Sequence, residues 1–162
     1  MANVGFISHP DYLAHDTGLF HPERPNRIQA ILERLEATGL EKDLVSIEPR
    51  PAEVSWVERA HTPGHVENVR SRCEQGLEHM GDGETMIGPG SYHIALLAAG
   101  AILEAADAVV DNRADTVFCA VRPPGHHAER SRAMGFCLFN NVVIGARYVQ
   151  ETHDIERVAI LD

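Results

Sequence analysis

The sequence predicts one α/β domain built around a parallel sheet. The chain has 162 residues, of which 44% are hydrophobic and 23% charged, as is usual for an ordinary globular domain. Short, continuously apolar runs at 4–7, 116–121 and 158–161 are typical of strands covered on both faces. A helical pattern separates the last two runs, and this strand–helix–strand order predicts that the two strands are parallel.

The N-terminal third predicts a strand, a helix and a weaker second strand. Val4–Ile7 is a short apolar run, and it leads into a loop rich in His, Asp, Pro and Gly over 8–25. A helix is expected from about Asn26, and Gly39 stands just past its end. Its apolar face comprises Ile28, Ile31, Leu32 and Leu35. The run 45–47 is the weaker strand candidate.

The middle of the chain predicts two further helices. Thr62 followed by Pro63 is an N-cap with proline at the first helical position, so a helix should run to about Gln75. Four glycines and a proline make 81–90 a loop. A long, mostly buried helix follows, with apolar residues at helical spacing: Tyr92, Ala95, Leu96, Ala99, Ile102, Leu103, Ala106 and Val110.

The last third predicts a strand–helix–strand unit that ends the chain. We expect a central strand at 116–121, a loop at 122–134, a helix over 140–151 and a final strand at 158–161. Asp162 would then lie at the carboxyl end of a parallel strand, where open α/β sheets bind their ligands. Domains rarely stop on such a strand, so we interpret residues 1–162 as the front part of a longer domain, with a complete small domain as the alternative.

The net charge limits the classes of partner that we expect, and the cysteine content indicates the cellular compartment. The formal net charge of −10 makes the chain a poor ligand for nucleic acid or anionic membranes and favours cationic partners such as lysine-rich tails or polyamines. Cys73, Cys119 and Cys137 form no C-x-x-C pair, as is typical of a reduced cytoplasmic protein. No signal peptide is visible, and the longest apolar stretch, 94–103, is too short to span a bilayer.

Two adjacent histidines are the sharpest chemical feature. His126 and His127 follow Pro-Pro-Gly on a loop that leaves a predicted strand, so both rings can face one cleft. A histidine pair suits proton transfer near neutral pH, with an acidic side chain such as Asp162 orienting one ring. From the spacing alone, a hydrogen-bonded structural pair and a pair of metal ligands stay open as alternatives.

The motifs along the chain resemble those of the histone deacetylase family. The matching segments are Pro-Pro-Gly-His-His-Ala at 123–128, Gly-Phe-Cys at 135–137, Asn-Asn at 140–141, His-Pro-Glu-Arg-Pro-Asn-Arg at 21–27, Gly-Pro-Gly-Ser-Tyr at 88–92, Ala-Ala-Gly at 98–100 and Val-Ala-Ile-Leu-Asp at 158–162. Pro-Pro-Gly before the pair looks like the class II branch and its bacterial relatives, which include acetylpolyamine amidohydrolases and acetoin-utilisation proteins.

The resemblance implies a zinc-dependent amide hydrolase with a three-layer, arginase-like α/β fold. Its substrates would be acetylated lysine side chains or acetylated polyamines, cleaved to acetate and amine. In the family the zinc is held by an Asp-x-His pair shortly after the position of Asp162 and by a later Asp, and a later Tyr stabilises the oxyanion. None of these lies within the 162 residues, so the sheet would be truncated after a central strand and the isolated chain is expected to be inactive.

The resemblance also implies roles for individual residues of the histidine loop. His127 resembles the general base that takes a proton from the attacking water and passes one to the leaving amine. His126 resembles its electrostatic partner, hydrogen-bonded to Asp162. In many members the residue at the position of Asp162 also contributes to a monovalent-cation site, so K⁺ is a second expected ion.

Further residues resemble the substrate-binding positions of the family. Gly135 and Phe136 resemble one wall of the channel that grips the methylene stem of the substrate. Arg27 resembles the arginine of an inner cavity, and Glu84 stands where many members have an acidic rim residue, commonly Asp.

Other interpretations accompany these assignments. Cys137 is better explained as a packed apolar side chain than as a nucleophile, although a Cys137–His127 hydrolase is a third hypothesis. The second hypothesis is that the chain is a non-catalytic binding fragment or a degenerate member of the family. Glu23 and Arg24 would form a loop ion pair if the resemblance is set aside. Four more histidines are taken as surface or capping residues: His61, His65, His79 and His153.

Overall fold

Three parallel strands form the sheet of the computed structural model, which describes residues 3–162. Strand β1 (Val4–Ile7) lies in the middle, between β2 (Leu44–Ser46) and β3 (Thr116–Cys119). Val4 is paired with Leu44 on one side and with Thr116 on the other. The predicted parallel α/β architecture is confirmed.

Five α-helices and two short 3₁₀ helices connect and cover the strands of the described chain. They are α1 (Asn26–Thr38), α2 (Val54–Ala60), α3 (Pro63–Glu74), α4 (Ser91–Val110), α5 (Asn141–Thr152) and the 3₁₀ turns Pro10–Ala14 and Leu40–Asp43. Four of the α-helices begin and end close to the predicted positions. Gly39 ends α1 with a left-handed φ of 73°, and the Thr62 side chain caps α3 by accepting from the His65 amide. Helix α2 was not predicted, because seven residues are too few to show a clear helical period.

The helices lie on both faces of the sheet and make three layers. On one face Ile7 packs against Ala101 and Ala108 of α4. On the other face Phe6 lines a groove with Leu32 and Leu35 of α1. Since successive side chains of a strand point to opposite faces, the two neighbouring residues of β1 contact different layers.

The predicted final strand at Val158–Leu161 is wrong. No strand is present over 153–162, and the side chain of Leu161 is 97% exposed. Val158 and Leu161 instead border an apolar groove whose other walls come from α4, α5 and Val117 of β3. An apolar run of four residues has no period that separates a paired strand from an extended segment lying over helices.

The absence of that strand changes the place of β3 in the described sheet. The run 116–121 was predicted as a central strand, but β3 is an edge strand and β1 is the central one. A strand becomes central only when a second neighbour pairs with its backbone, and 158–161 does not supply that pairing. The predicted strand–helix–strand unit is therefore incomplete.

Helix α4 owes its apolar sequence to its place in the core. It is the one helix among residues 3–162 that is long and apolar enough to cross a bilayer, with a mean hydropathy of 1.7 in its most apolar window. Half of that window is buried inside the protein, where α4 packs on β3 and α5. A buried core helix meets the same criteria of length and composition.

Candidate active site

The two adjacent histidines lie on the segment that leaves the carboxyl end of β3, between Ala120 and Asn140. The ring centroids of His126 and His127 are 4.1 Å apart, with an angle of 49° between the ring planes. Both side chains are exposed to solvent. The pair is therefore accessible to a substrate at the edge of the sheet where α/β proteins bind ligands.

A buried ion pair fixes the start of this segment. Arg122 donates from Nε and Nη2 to the two carboxylate oxygens of Glu23, at 2.6 and 2.8 Å. Its Nη1 donates to the Tyr12 carbonyl at 2.8 Å. Both charged side chains are at most 2% exposed. Glu23 therefore pairs with Arg122 and not with its neighbour Arg24. Because Glu23 and Arg122 are distant in sequence, no local pattern predicts their pairing. The only notable feature of Arg122 in the sequence is its position directly before Pro-Pro-Gly.

A neutral histidine packs beside this ion pair. His15 Nδ1 lies 2.8 Å from the Ser91 hydroxyl, and Nε2 lies 3.9 Å from the Glu23 carboxylate. Burial, together with the nearby Arg122 cation, lowers the pKa of His15 to about 4. The ring is therefore uncharged at neutral pH and leaves the Glu23 charge to Arg122.

The N-terminus of α5 holds the histidine segment from the other side. The Asn140 side-chain amide donates to the carbonyls of Ala128 and His126, at 3.0 and 3.4 Å, while its oxygen caps α5. Gly125 is required at its position because a Cβ there would lie 2.5 Å from the Asn141 nitrogen. The two histidines are thus carried by a segment with many fixed contacts.

Gly135 and Phe136 form a wall directly against His127. A Cβ on Gly135 would lie 2.7 Å from Cδ2 of His127, and Gly135 has a left-handed φ of 57°. Phe136 has a left-handed φ of 69°, which is uncommon for an aromatic residue and marks local strain. Its ring packs edge-on against His21, with centroids 4.5 Å apart. The structure therefore places both predicted wall residues beside the histidine pair.

The turn that carries Glu84 is connected to this wall. The Thr85 hydroxyl donates to Asp82 at 2.6 Å and accepts from the Phe136 amide at 3.3 Å. Burial raises the pKa of Asp82, but hydrogen bonds from Thr85 and backbone amides outweigh it and lower that pKa overall. His21 Nε2 donates to the Glu84 carbonyl at 3.0 Å. Glu84 is exposed next to the wall, with its carboxylate available to solvent.

Among residues 3–162, neither Arg27 nor Asp162 makes a hydrogen bond to the histidine pair. Arg27 is 61% exposed, and its guanidinium lies 3.9 Å from Glu23 beside a small cavity that Pro124 also lines. Within residues 3–162, no hydrogen bond joins Asp162 to His126. The expected contact depended on a strand at 158–161 beside β3, and 153–162 forms no such strand.

His61 and His65 are buried, which corrects their interpretation as surface or capping residues. They are 1% and 3% exposed, with ring centroids 4.9 Å apart. His61 Nε2 accepts from the Asn140 amide at 2.8 Å, and His65 Nε2 donates to the Leu138 carbonyl at 2.9 Å. Burial lowers the pKa of both rings, that of His61 to about 4. The spacing of four residues between these two histidines was the one feature of the sequence that could have indicated their pairing.

The remaining two histidines lie outside this site. His153 Nε2 lies 2.7 Å from the carboxylate of Asp107 and links the end of α5 to α4. His79 Nδ1 accepts from the Gly81 amide at 2.9 Å in the turn that precedes Glu84. Both therefore have structural partners, one distant in sequence and one local.

Cys137 has the environment of a packed side chain. It is fully buried, its Sγ lies 3.3 Å from the Gly135 carbonyl, and burial raises the pKa of the thiol to about 11. A thiol with that pKa is almost wholly protonated at neutral pH and is a poor nucleophile. The structure thus favours the packing interpretation over a cysteine hydrolase.

No metal site is formed by the residues that the structure describes. Over 3–162, no group of three or more His, Cys, Asp and Glu side chains converges closely enough to hold an ion. The histidine pair supplies two imidazoles, whereas a catalytic zinc needs three protein ligands. These residues therefore do not fit a zinc site by themselves.

Comparison with known proteins agrees with this geometry. The histone deacetylase domain family matches residues 21–162. An uncharacterized protein of Synechocystis is 39% identical over 98% of this chain and 53% of its own length. The human polyamine deacetylase HDAC10 is 37% identical over 86% of this chain and 22% of its own length. The solved structure of the HDA15 HD domain superposes with a TM-score of 0.86 at 30% identity, covering 93% of this chain and 44% of that one.

These likenesses extend over the fold and the site together. The match includes the histidine segment, the wall beside it and the Glu23–Arg122 anchor. The chain spans about half the length of the Synechocystis relative and a smaller share of HDAC10. It belongs to the histone deacetylase family.

Proposed function

We propose that the full-length protein hydrolyses acetylated amines, namely acetyl-lysine side chains or acetylated polyamines, to acetate and the free amine. The observation that carries this proposal is the exposed His126–His127 pair with Gly135 packed directly against one of its rings. Proton transfer needs an accessible imidazole held in one place beside the substrate, and this arrangement supplies it.

His127 is the residue we assign as general base. It takes a proton from the attacking water and returns one to the nitrogen of the leaving amine, so that one ring serves both steps. His126, whose ring centroid is 4.1 Å away, is the electrostatic partner of that proton transfer. An imidazole suits this work because its ordinary pKa lies near neutral pH.

The wall and the rim account for the proposed substrate class. The Phe136 ring offers an apolar face to a methylene stem, which acetyl-lysine and acetylpolyamines share. The exposed carboxylate of Glu84 and the net charge of −10 favour a cationic substrate around that stem. The name of HDAC10 describes a deacetylase of polyamines, and this supports including polyamines here.

Zinc is the cofactor we propose for the full-length protein, with ligands outside the described residues, where it would polarise the acetyl carbonyl. K⁺ is a second proposed ion, with Asp162 as one candidate ligand. Because residues 3–162 do not form a metal site, we propose that the 162-residue chain alone has no hydrolase activity. The same observation favours a second candidate function, a binding fragment without catalysis.

The test is acetate release by the full-length protein from an acetyl-lysine peptide and from an acetylated polyamine. His127→Ala should lower kcat by at least about a hundredfold, the usual contribution of a general base. His93→Ala, which removes an exposed histidine of α4, is the matched control and should leave kcat unchanged. An unchanged kcat in His127→Ala would overturn the assignment of His127 as general base. If the wild-type protein releases no acetate when zinc is supplied, the binding function is favoured instead.

A further inference from the structure

Two buried histidines lie at the junction of α2 and α3, which contacts the segment of the candidate catalytic pair at two places, just after the pair and at the start of α5. His61 follows the last residue of α2, and His65 lies in the first turn of α3. Their rings pack against Phe139, with centroids 5.6 and 5.9 Å from that ring. We call these two residues the histidine clamp.

The first contact with the segment lies just after the candidate catalytic pair. The Thr62 amide, between the two clamp residues, donates to the Arg130 carbonyl at 2.9 Å. His61 Nδ1 is buried and has no hydrogen-bond partner among the described residues. Only two residues lie between His127 and Arg130, so movement at 130 would be transmitted to the pair.

The second contact with the segment lies just after the wall formed by Gly135 and Phe136. His61 Nε2 accepts from the Asn140 amide at 2.8 Å, and His65 Nε2 donates to the Leu138 carbonyl at 2.9 Å. The Asn140 side chain in turn donates to the carbonyls of His126 and Ala128. The junction of α2 and α3 thus binds the segment on both sides of Gly135 and Phe136.

The contacts require one defined tautomer of each clamp residue. His61 accepts at Nε2, so its proton is on Nδ1. His65 donates at Nε2 and therefore has the opposite tautomer. These two hydrogen bonds specify the backbone positions of Asn140 and Leu138 more strictly than apolar packing alone would, although Nδ1 of each ring is buried without a hydrogen-bond partner among the described residues.

We propose that the histidine clamp consists of positioning residues that set where His126 and His127 stand relative to Gly135 and Phe136. This inference rests on the proposed deacetylase function. The clamp touches neither substrate nor the reacting atoms. It acts on the rate by holding the base and the substrate wall in one arrangement, and a small misplacement of a base lowers the rate steeply.

The test compares two polar substitutions of His61 in the full-length protein. Gln places its side-chain oxygen where Nε2 accepts from Asn140, whereas Asn reaches only the position of Nδ1. His61→Asn should lower kcat about tenfold or more while KM changes little. Hydrogen exchange of the 126–140 amides should become faster in that variant. His61→Gln should restore both kcat and exchange towards the wild-type values.

Two controls separate positioning from loss of stability. Ile47→Ala removes a buried side chain beside β2, on the opposite edge of the sheet, and should lower Tm without changing kcat. If His61→Asn does not fold, the same comparison can be made between His65→Asn and His65→Gln, which test the hydrogen bond to the Leu138 carbonyl.

The outcomes distinguish the clamp from the function on which it rests. Equal kcat and equal exchange rates in the Asn and Gln variants would overturn the clamp. A kcat loss in Ile47→Ala as large as in His61→Asn, at the same Tm, would also overturn it. Lack of acetate release by the wild-type protein would overturn the proposed function, and the exchange rates would then decide the clamp alone.

Discussion

Glu23 and Arg122 face each other through two parallel hydrogen bonds, at 2.6 and 2.8 Å, inside a region that excludes solvent from both charges. One residue lies before α1 and the other lies just after β3, so the pair joins the first loop of the chain to the histidine segment. Arg27 and His15 each come within 3.9 Å of the same carboxylate. The charge of Glu23 is thereby the centre of a buried network.

Removing one charge of this pair should destabilise the protein strongly. Glu23→Gln keeps the shape of the side chain but leaves the Arg122 guanidinium buried without a counter-charge. We expect a loss of about 3–5 kcal/mol in the free energy of unfolding, measured by urea titration. Arg24→Gln, at the exposed neighbouring position, should change it by less than about 0.5 kcal/mol. Equal stabilities of the two variants would contradict the anchoring role.

Gly135→Ala should impair catalysis more than stability. The new Cβ would lie 2.7 Å from the His127 ring and would force it to move. A displaced base should lower kcat by on the order of a hundredfold. Gly39→Ala is the matched control, because it has a similar left-handed φ of 73° and no heavy atom within 4 Å of the added Cβ. Both variants should lose about 1–2 kcal/mol of stability from the backbone alone, and only Gly135→Ala should lose activity.

Stability should fall as the pH is lowered from about 6.5 towards 4. Burial lowers the pKa of His15 to about 4 in the folded state, while the unfolded chain binds that proton near pH 6.5. The unfolded state therefore gains protons first, and the stabilisation present above pH 6.5 is lost as the pH falls through that window. For His15 the loss is on the order of 3 kcal/mol.

The same pH dependence should weaken when the histidine is replaced. Urea titrations of the wild type and of His15→Gln between pH 7.5 and 4.5 measure it. The variant should show a flatter profile, with the rest of the slope coming from His61 and His65, whose pKa values are also lowered by burial. Identical slopes in the two proteins would show that His15 is not titrating as its burial predicts.

Cys137 should resist alkylation in the native protein. Burial raises the pKa of its thiol to about 11, so little thiolate is present at neutral pH, and the side chain is inaccessible. Iodoacetamide should leave Cys137 and the proposed deacetylase activity intact until urea is added, after which peptide mapping should find the residue modified. Rapid native labelling of Cys137 with loss of activity would instead support the cysteine hydrolase hypothesis.

Local signals allowed several elements to be predicted from the sequence. Thr62 with Pro63, and Gly39, mark the ends of helices because a cap is made by residues adjacent in sequence. The strands Val4–Ile7 and Thr116–Cys119 were recognisable because both of their faces are apolar. The histidine pair and its wall could be named from their motifs, and the structure brings them together.

What the sequence did not reveal depends on contacts between distant segments. Val158–Leu161 has the composition of a strand, but a strand also needs a pairing backbone, and that is not a property of four residues. The partners of Arg122 and His61 lie 99 and 79 residues away. Burial of such side chains follows from packing that brings remote segments together, so their roles became visible only in three dimensions.

These long separations have a consequence for how the site is assembled. Closing a large loop lowers chain entropy before the contact can stabilise it, so long-range pairings form slowly compared with helices. The Glu23–Arg122 and His61–Asn140 contacts both belong to that slow class. On the ribosome, α1 to α4 emerge well before the segment that receives those contacts. We therefore expect the histidine segment to reach its final arrangement late, after most helical structure is already in place.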